Sequence, residues 1–124
     1  MKGPEILILE KEPTVVLQLQ AQLQSMGYNS IWACNWRGAL ACCREHWPDY
    51  AILNFRLQPG FDGMQLARIL RVEYEMEILF ITGARPEEVL LSPEYCPLHE
   101  LLYKPYTEQQ LRKTLEHFLR KLPT

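Results

Sequence analysis

The sequence lacks several features that would each have pointed to a class of function. No C-x-x-C pair occurs among its four cysteines, Cys34, Cys42, Cys43 and Cys96, so the signatures of a dithiol redox centre and of a zinc ribbon are missing. With no export signal, these thiols are expected to be reduced. Cys42 and His46 form a metal-like pair at i, i+4 of a helix, but two ligands do not close a site, and no metal centre is expected. Long apolar runs are also missing. Pieces such as Ile6 to Leu9 fall far short of the roughly 20 residues that a membrane span needs. Gly3-Pro4-Glu5 stands where a signal peptide would place its apolar core, so a cytoplasmic protein without a membrane partner is expected. Neither sign of charge dominates. Thirteen Lys and Arg against 15 Asp and Glu leave a net charge of -2, which supplies no field to hold a polyphosphate backbone, and nucleic acid is not an expected partner.

What is present is the composition of a folded domain. The 124 residues are 48% hydrophobic and 23% charged, which suits one compact unit spanning residues 1–124 and leaves no room there for a separate output domain. Two kinds of apolar pattern alternate along the chain. Ile6 to Leu9, Tyr28 to Ala33, Tyr50 to Leu53, Ile78 to Ile81 and Glu100 to Tyr103 read as five strands. Helical spacing fills the intervals. Pro13 opens a helix bearing Val16, Leu19, Leu23 and Met26 that ends at Gly27, and Asn35 caps a second one that Pro48 stops. Arg56 to Gly63 reads as a turn-rich loop before a helix with Leu66, Ile69 and Leu70. The fourth crossover is irregular, because Pro86, Pro93 and Pro97 confine any helix to about Pro86–Ser92. Thr107 and Gln110 form a capping box for a last helix with Leu111, Leu115, Phe118, Leu119 and Leu122.

Strand-helix alternation of this kind predicts an α/β fold, a doubly wound five-stranded parallel sheet with right-handed crossovers. Ligand crevices of such sheets lie at the carboxyl ends of the strands, where strand order reverses. Glu10, Lys11, Asn54, Thr82 and Lys104 are the residues placed there.

The segments around those positions carry a resemblance. ILILEKEP, PDYAILNFRLQPGFDG, ILFITGA and LLYKPYT resemble, in order and over nearly the whole chain, the signature blocks of the response-regulator receiver family, the CheY-like (βα)5 domains of flavodoxin-like topology. The resemblance implies phosphoryl transfer from a histidine kinase to an Asp ending the third strand, with Mg2+ held by an acidic pair ending the first. It also implies a Thr or Ser ending the fourth strand and a Lys ending the fifth that contact the phosphoryl oxygens. Here Glu10 and Lys11 match the acidic pair, Asn54 the acceptor, Thr82 the hydroxyl and Lys104 the lysine, with Lys104-Pro105 cis in the family.

Two of these residues change the chemistry. An acyl phosphate needs a carboxylate nucleophile, and the amide of Asn54 is neutral. Lys11 places an ammonium where Mg2+ wants an anionic oxygen. Three carboxylates and one lysine would leave about -2 in the crevice, whereas Glu10, Lys11, Asn54 and Lys104 leave +1, and a unit pair at about 4 Å is worth roughly 4 kcal/mol at an effective dielectric near 20. Mg2+ binding is therefore predicted to be weak or absent. Glu10 is as well suited to pairing with Lys104 or Lys11, and Thr82 to satisfying a backbone group.

Leu101 stands three residues before Lys104, where receivers often carry an aromatic switch residue, and Tyr103 is assigned the opposite strand parity. Trp32, Trp36 and Trp47 are expected in the core, an exposed pair marking a contact site instead. The reading is of a receiver-like signalling module, not an enzyme, acting by contact with a histidine kinase or an effector, with self-association left open. Two alternatives stay open. In one, Asn54 is a substitution in an active acceptor. In the other, Lys11, Arg56, Arg85 and Lys104 form a cationic mouth for an anion or nucleotide, partly neutralised by Glu10, Glu12 and Asp62. The second lacks a Gly-rich phosphate loop after the first strand, where EKEPT stands.

Overall fold

Aliphatic runs without alternation of polarity form strands covered on both faces, and the central sheet is built from them. A computed structural model describes residues 4–53, 56–58, 61–83, 85–87 and 100–119. The strands are β1 (Glu5–Leu9), β2 (Asn29–Ala33), β3 (Tyr50–Leu53), β6 (Glu77–Thr82) and β7 (Glu100–Tyr103), all parallel in the order β2-β1-β3-β6-β7. Four described helices lie against the sheet: α1 (Pro13–Ser25), α2 (Trp36–His46), α3 (Gly63–Tyr74) and α4 (Glu108–Leu119).

Strand geometry sends successive side chains to opposite faces, and β1 supplies both cores. Leu7 and Leu9 pack with Ala39, Cys43, Leu66 and Leu70, while Ile6 and Ile8 pack with Val16, Leu19, Leu23, Leu115 and Phe118. Burying a side chain of this size contributes about 1.5–3 kcal/mol, so both faces of the sheet hold the fold together.

Local chemistry ends the helices where the sequence places the ends. Gly27 adopts φ 90, a value that L side chains rarely take, and the Tyr28 N–H returns to the Leu23 carbonyl at 2.9 Å. Asn35 Oδ1 accepts the Gly38 N–H at 2.7 Å and caps α2. Thr107 and Gln110 make the reciprocal capping box at 3.0 and 2.8 Å.

Three expectations are corrected or fall elsewhere. The turn-rich segment after β3 contains a two-stranded antiparallel ribbon, β4 (Arg56–Gln58) with β5 (Phe61–Asp62), pairing Arg56 with Asp62 and Gln58 with Phe61. Such short strands carry no readable period, although the sequence between them, Pro-Gly, is a turn signal. The tryptophans are not all core residues. Trp36 is half-buried, but Trp32 is 43% exposed on an edge strand and Trp47 is 60% exposed just past the end of α2. Trp47 has φ 47 and stacks edge-on against Tyr74 with ring centroids 4.8 Å apart. The irregular fourth crossover lies outside the described residues except for Arg85–Glu87, as do Asn54, Cys96 and Leu122.

A buried polar contact ties the C-terminal helix to the sheet. Tyr50 at the start of β3 donates its hydroxyl to the Leu119 carbonyl at 2.7 Å while its ring packs on Phe118. Tyr50→Phe removes the donor and strands a buried carbonyl, so urea unfolding should show a loss of about 1–2 kcal/mol with an unchanged slope.

Candidate functional site at the strand ends

The chain turns back across β1 between β2 and β3, and the crevice at the reversal begins with Glu10. Glu10 is held at every polar atom. Its N–H donates to the Ala33 carbonyl at 3.2 Å, and its carbonyl accepts the Trp32 indole N–H at 2.7 Å. Carboxylate Oε1 accepts the backbone N–H groups of Lys11 at 3.0 Å and Glu12 at 3.3 Å. The other oxygen, Oε2, stands 3.9 Å from Lys104 Nζ, and the residue is only 8% exposed.

Lys104 reaches that point from the end of β7. Its backbone N–H donates to the Thr82 carbonyl at 2.8 Å, and the Lys104-Pro105 bond is cis. Thr82 is fully buried at the end of β6. Three expected site residues, Glu10, Thr82 and Lys104, are thus brought together, and the expected Glu10-Lys104 pairing is present. Coulomb attraction across 3.9 Å would be about 4 kcal/mol at a dielectric near 20, and partial exposure of the lysine brings the net to about 1 kcal/mol or less. Lys11 follows directly with an exposed side chain.

Two participants were not assigned to this site from the sequence. Trp32 fixes the Glu10 carbonyl from the neighbouring strand, which the pairing of Ile8 with Trp32 explains. Tyr106, two residues past the lysine, packs against the core that holds Ile8. Burial, and then the Glu10 carboxylate, push its phenol above the usual tyrosine range. Its place two residues after Lys104 in LLYKPYT was the available signal.

The parity given to Tyr103 is corrected. Leu101 and Tyr103 are two residues apart and pack on the same core, with Leu7 and Phe80, whereas Leu102 packs on the other. An aromatic ring therefore does stand on the Leu101 face of β7, one pleat nearer the lysine.

The described cysteines and His46 have identifiable surroundings. His46 Nε2 lies 3.7 Å from Glu45, and no cluster of three or more His, Cys, Asp or Glu suited to a metal occurs among the described residues. Burial, and then Cys42, push the Cys43 thiol up to about 11, far from a reactive thiolate.

Fold and strand-end site together define a doubly wound α/β domain whose crevice joins a carboxylate, a buried threonine and a lysine. Residues 6–116 match the response regulator receiver domain family, and the chain belongs to it. It is 31% identical over 124 residues to the transcriptional regulatory protein AruR of Pseudomonas aeruginosa, covering 96% of this chain and 50% of that protein. The chain thus spans half the length of this curated relative. A putative response regulator from Chloroflexus aurantiacus superposes with a TM-score of 0.79 at 26% identity, over 97% of this chain and 100% of that one. The receiver domain of PhyR from Erythrobacter litoralis superposes at 0.82 with 24% identity, over 100% and 97% of the two chains, a likeness of fold. Receiver domains are signalling domains of two-component systems and interact with histidine kinases and effectors. No helix among the described residues is long and apolar enough to cross a membrane.

Because Glu10 contributes to the raised phenol pKa, Glu10→Gln should lower it toward the ordinary tyrosine value without abolishing the larger burial effect. Ultraviolet titration of the ionised phenol, with Tyr106→Phe to assign the transition, measures this.

Proposed function

We propose that this receiver domain signals by protein contact and takes no phosphoryl group at residue 54. The observation that carries the reading is the commitment of Glu10: its carboxylate accepts two backbone N–H groups and pairs with Lys104. It is the single acid at the two positions that match the family's acidic pair, since Lys11 fills the other. Asn54 at the acceptor position is an amide and supplies no nucleophile.

Magnesium fits this donor set poorly. A hard dication needs several anionic or neutral oxygens with little positive charge nearby, and two ammonium groups accompany the single carboxylate. No step through Mg2+ is therefore assigned. Thr82 and Lys104, joined through the Lys104 N–H and the Thr82 carbonyl, hold the strand ends together, and the module acts without catalytic residues of its own. The partner class is a histidine kinase or an effector of a two-component pathway.

The test is incubation with acetyl phosphate and Mg2+, read by intact mass. The wild type should gain no phosphoryl group, and Asn54→Asp alone should remain poorly labelled because Lys11 stays beside the crevice. The double variant Asn54→Asp with Lys11→Asp should label strongly. An adduct at residue 54 of the wild type would overturn the reading. Strong labelling of Asn54→Asp alone would instead identify an active acceptor carrying one substitution.

A further inference from the structure

The two edges of the main sheet are β2 and β7, and they are guarded differently. Exposed edges present unpaired backbone groups, which proteins commonly protect with charge, lysine or proline. β7 begins with Glu100 and runs directly into Lys104-Pro105. β2 reads NSIWA and carries none of these residues.

Backbone direction along β2 follows from one hydrogen bond. The Ala33 carbonyl accepts from Glu10 N–H, so Ala33 and, by alternation, Ile31 and Asn29 turn their polar groups toward β1. Ser30 and Trp32 therefore turn theirs outward, where no other described strand lies.

The segment that forms that edge carries no formal charge of its own. No Asp, Glu, Lys, Arg or His occurs from Pro13 to Trp36, which includes all of α1 and β2, although 23% of the whole chain is charged. Within this neutral stretch Leu17 on α1 and Trp32 on β2 are exposed large hydrophobic residues. Depletion of charge with an exposed tryptophan is the composition of an interface core.

We propose that β2 pairs antiparallel with β2 of a second copy, centred on Ile31, to join the two sheets into one. A second copy fits for two reasons. Antiparallel pairing is what a two-fold axis normal to the sheet produces, and an isologous contact brings β2 and α1 against their own copies, where uncharged segments add no repulsion. The outward groups match this register. Ser30 would exchange two hydrogen bonds with Trp32 of the partner subunit, and symmetry repeats them, while Ile31 packs across the axis. That axis keeps both α1 helices on one face, flanking the seam. The proposal does not depend on whether residue 54 is phosphorylated.

Sedimentation equilibrium of the full chain tests it. The wild type should dimerise with a dissociation constant at or below about 100 μM. Ser30→Pro, which removes an outward donor at a position where an edge strand tolerates proline, and Ile31→Lys, which sets like charges across the axis, should each weaken it at least roughly tenfold. Val72→Lys on α3, at a residue 70% exposed and remote from the edge in the chain, should leave it unchanged. Independently of any variant, hydrogen exchange of the Trp32 amide should slow as protein concentration rises. A monomeric wild type, a dimer that survives both edge substitutions, equal weakening by Val72→Lys, or concentration-independent Trp32 exchange would overturn the proposal.

Discussion

Two-sided burial of β1, β3 and β6 is the constraint on which the remaining structure depends. A parallel strand covered on both faces cannot alternate polar and apolar residues, so EILIL, YAIL and EILFIT supply side chains to both cores at once. The helices then have to cover both faces, and chain order places Glu10, Thr82 and Lys104 at one end of the sheet. The site is therefore a consequence of the sheet, assembled from residues that follow the buried runs.

At that end the buried Glu10 carboxylate is paired with Lys104, which is what the proposed reading rests on. Glu10 is fixed by two strands and its own loop, with Trp32 on its carbonyl and Lys11 and Glu12 on its carboxylate, and Lys104 completes the pair. A carboxylate so engaged gives up existing partners before it can bind a new one. The receiver frame and the altered crevice are compatible, because strand packing builds the frame and only a few loop side chains set the charge.

Much of this was legible from residue patterns with direct physical causes. The apolar runs gave the strands, and Gly27, Asn35 and the Thr107-Gln110 box gave helix ends that the hydrogen bonds reproduce. The Arg56–Asp62 ribbon was not legible, since two- and three-residue strands have no period to detect. Trp32 and Trp47 were misplaced because ring size predicts burial without saying which strand becomes an edge or where a helix cap turns outward. Tyr103 was misassigned against its own two-residue spacing from Leu101, and the packing restores the shared face. The effect of Glu10 on Tyr106 joins segments nearly a hundred residues apart and required the tertiary arrangement.

The central claim is that the strand-end carboxylate is already satisfied and the crevice does not gather divalent cations. Lys11 and Glu12 N–H groups, both bonded to that carboxylate, report on it directly. In a titration with Mg2+ to about 10 mM followed by amide NMR, the account predicts that these two resonances stay in place. A saturable shift of both, with the Lys104 side chain released from Glu10, would contradict it.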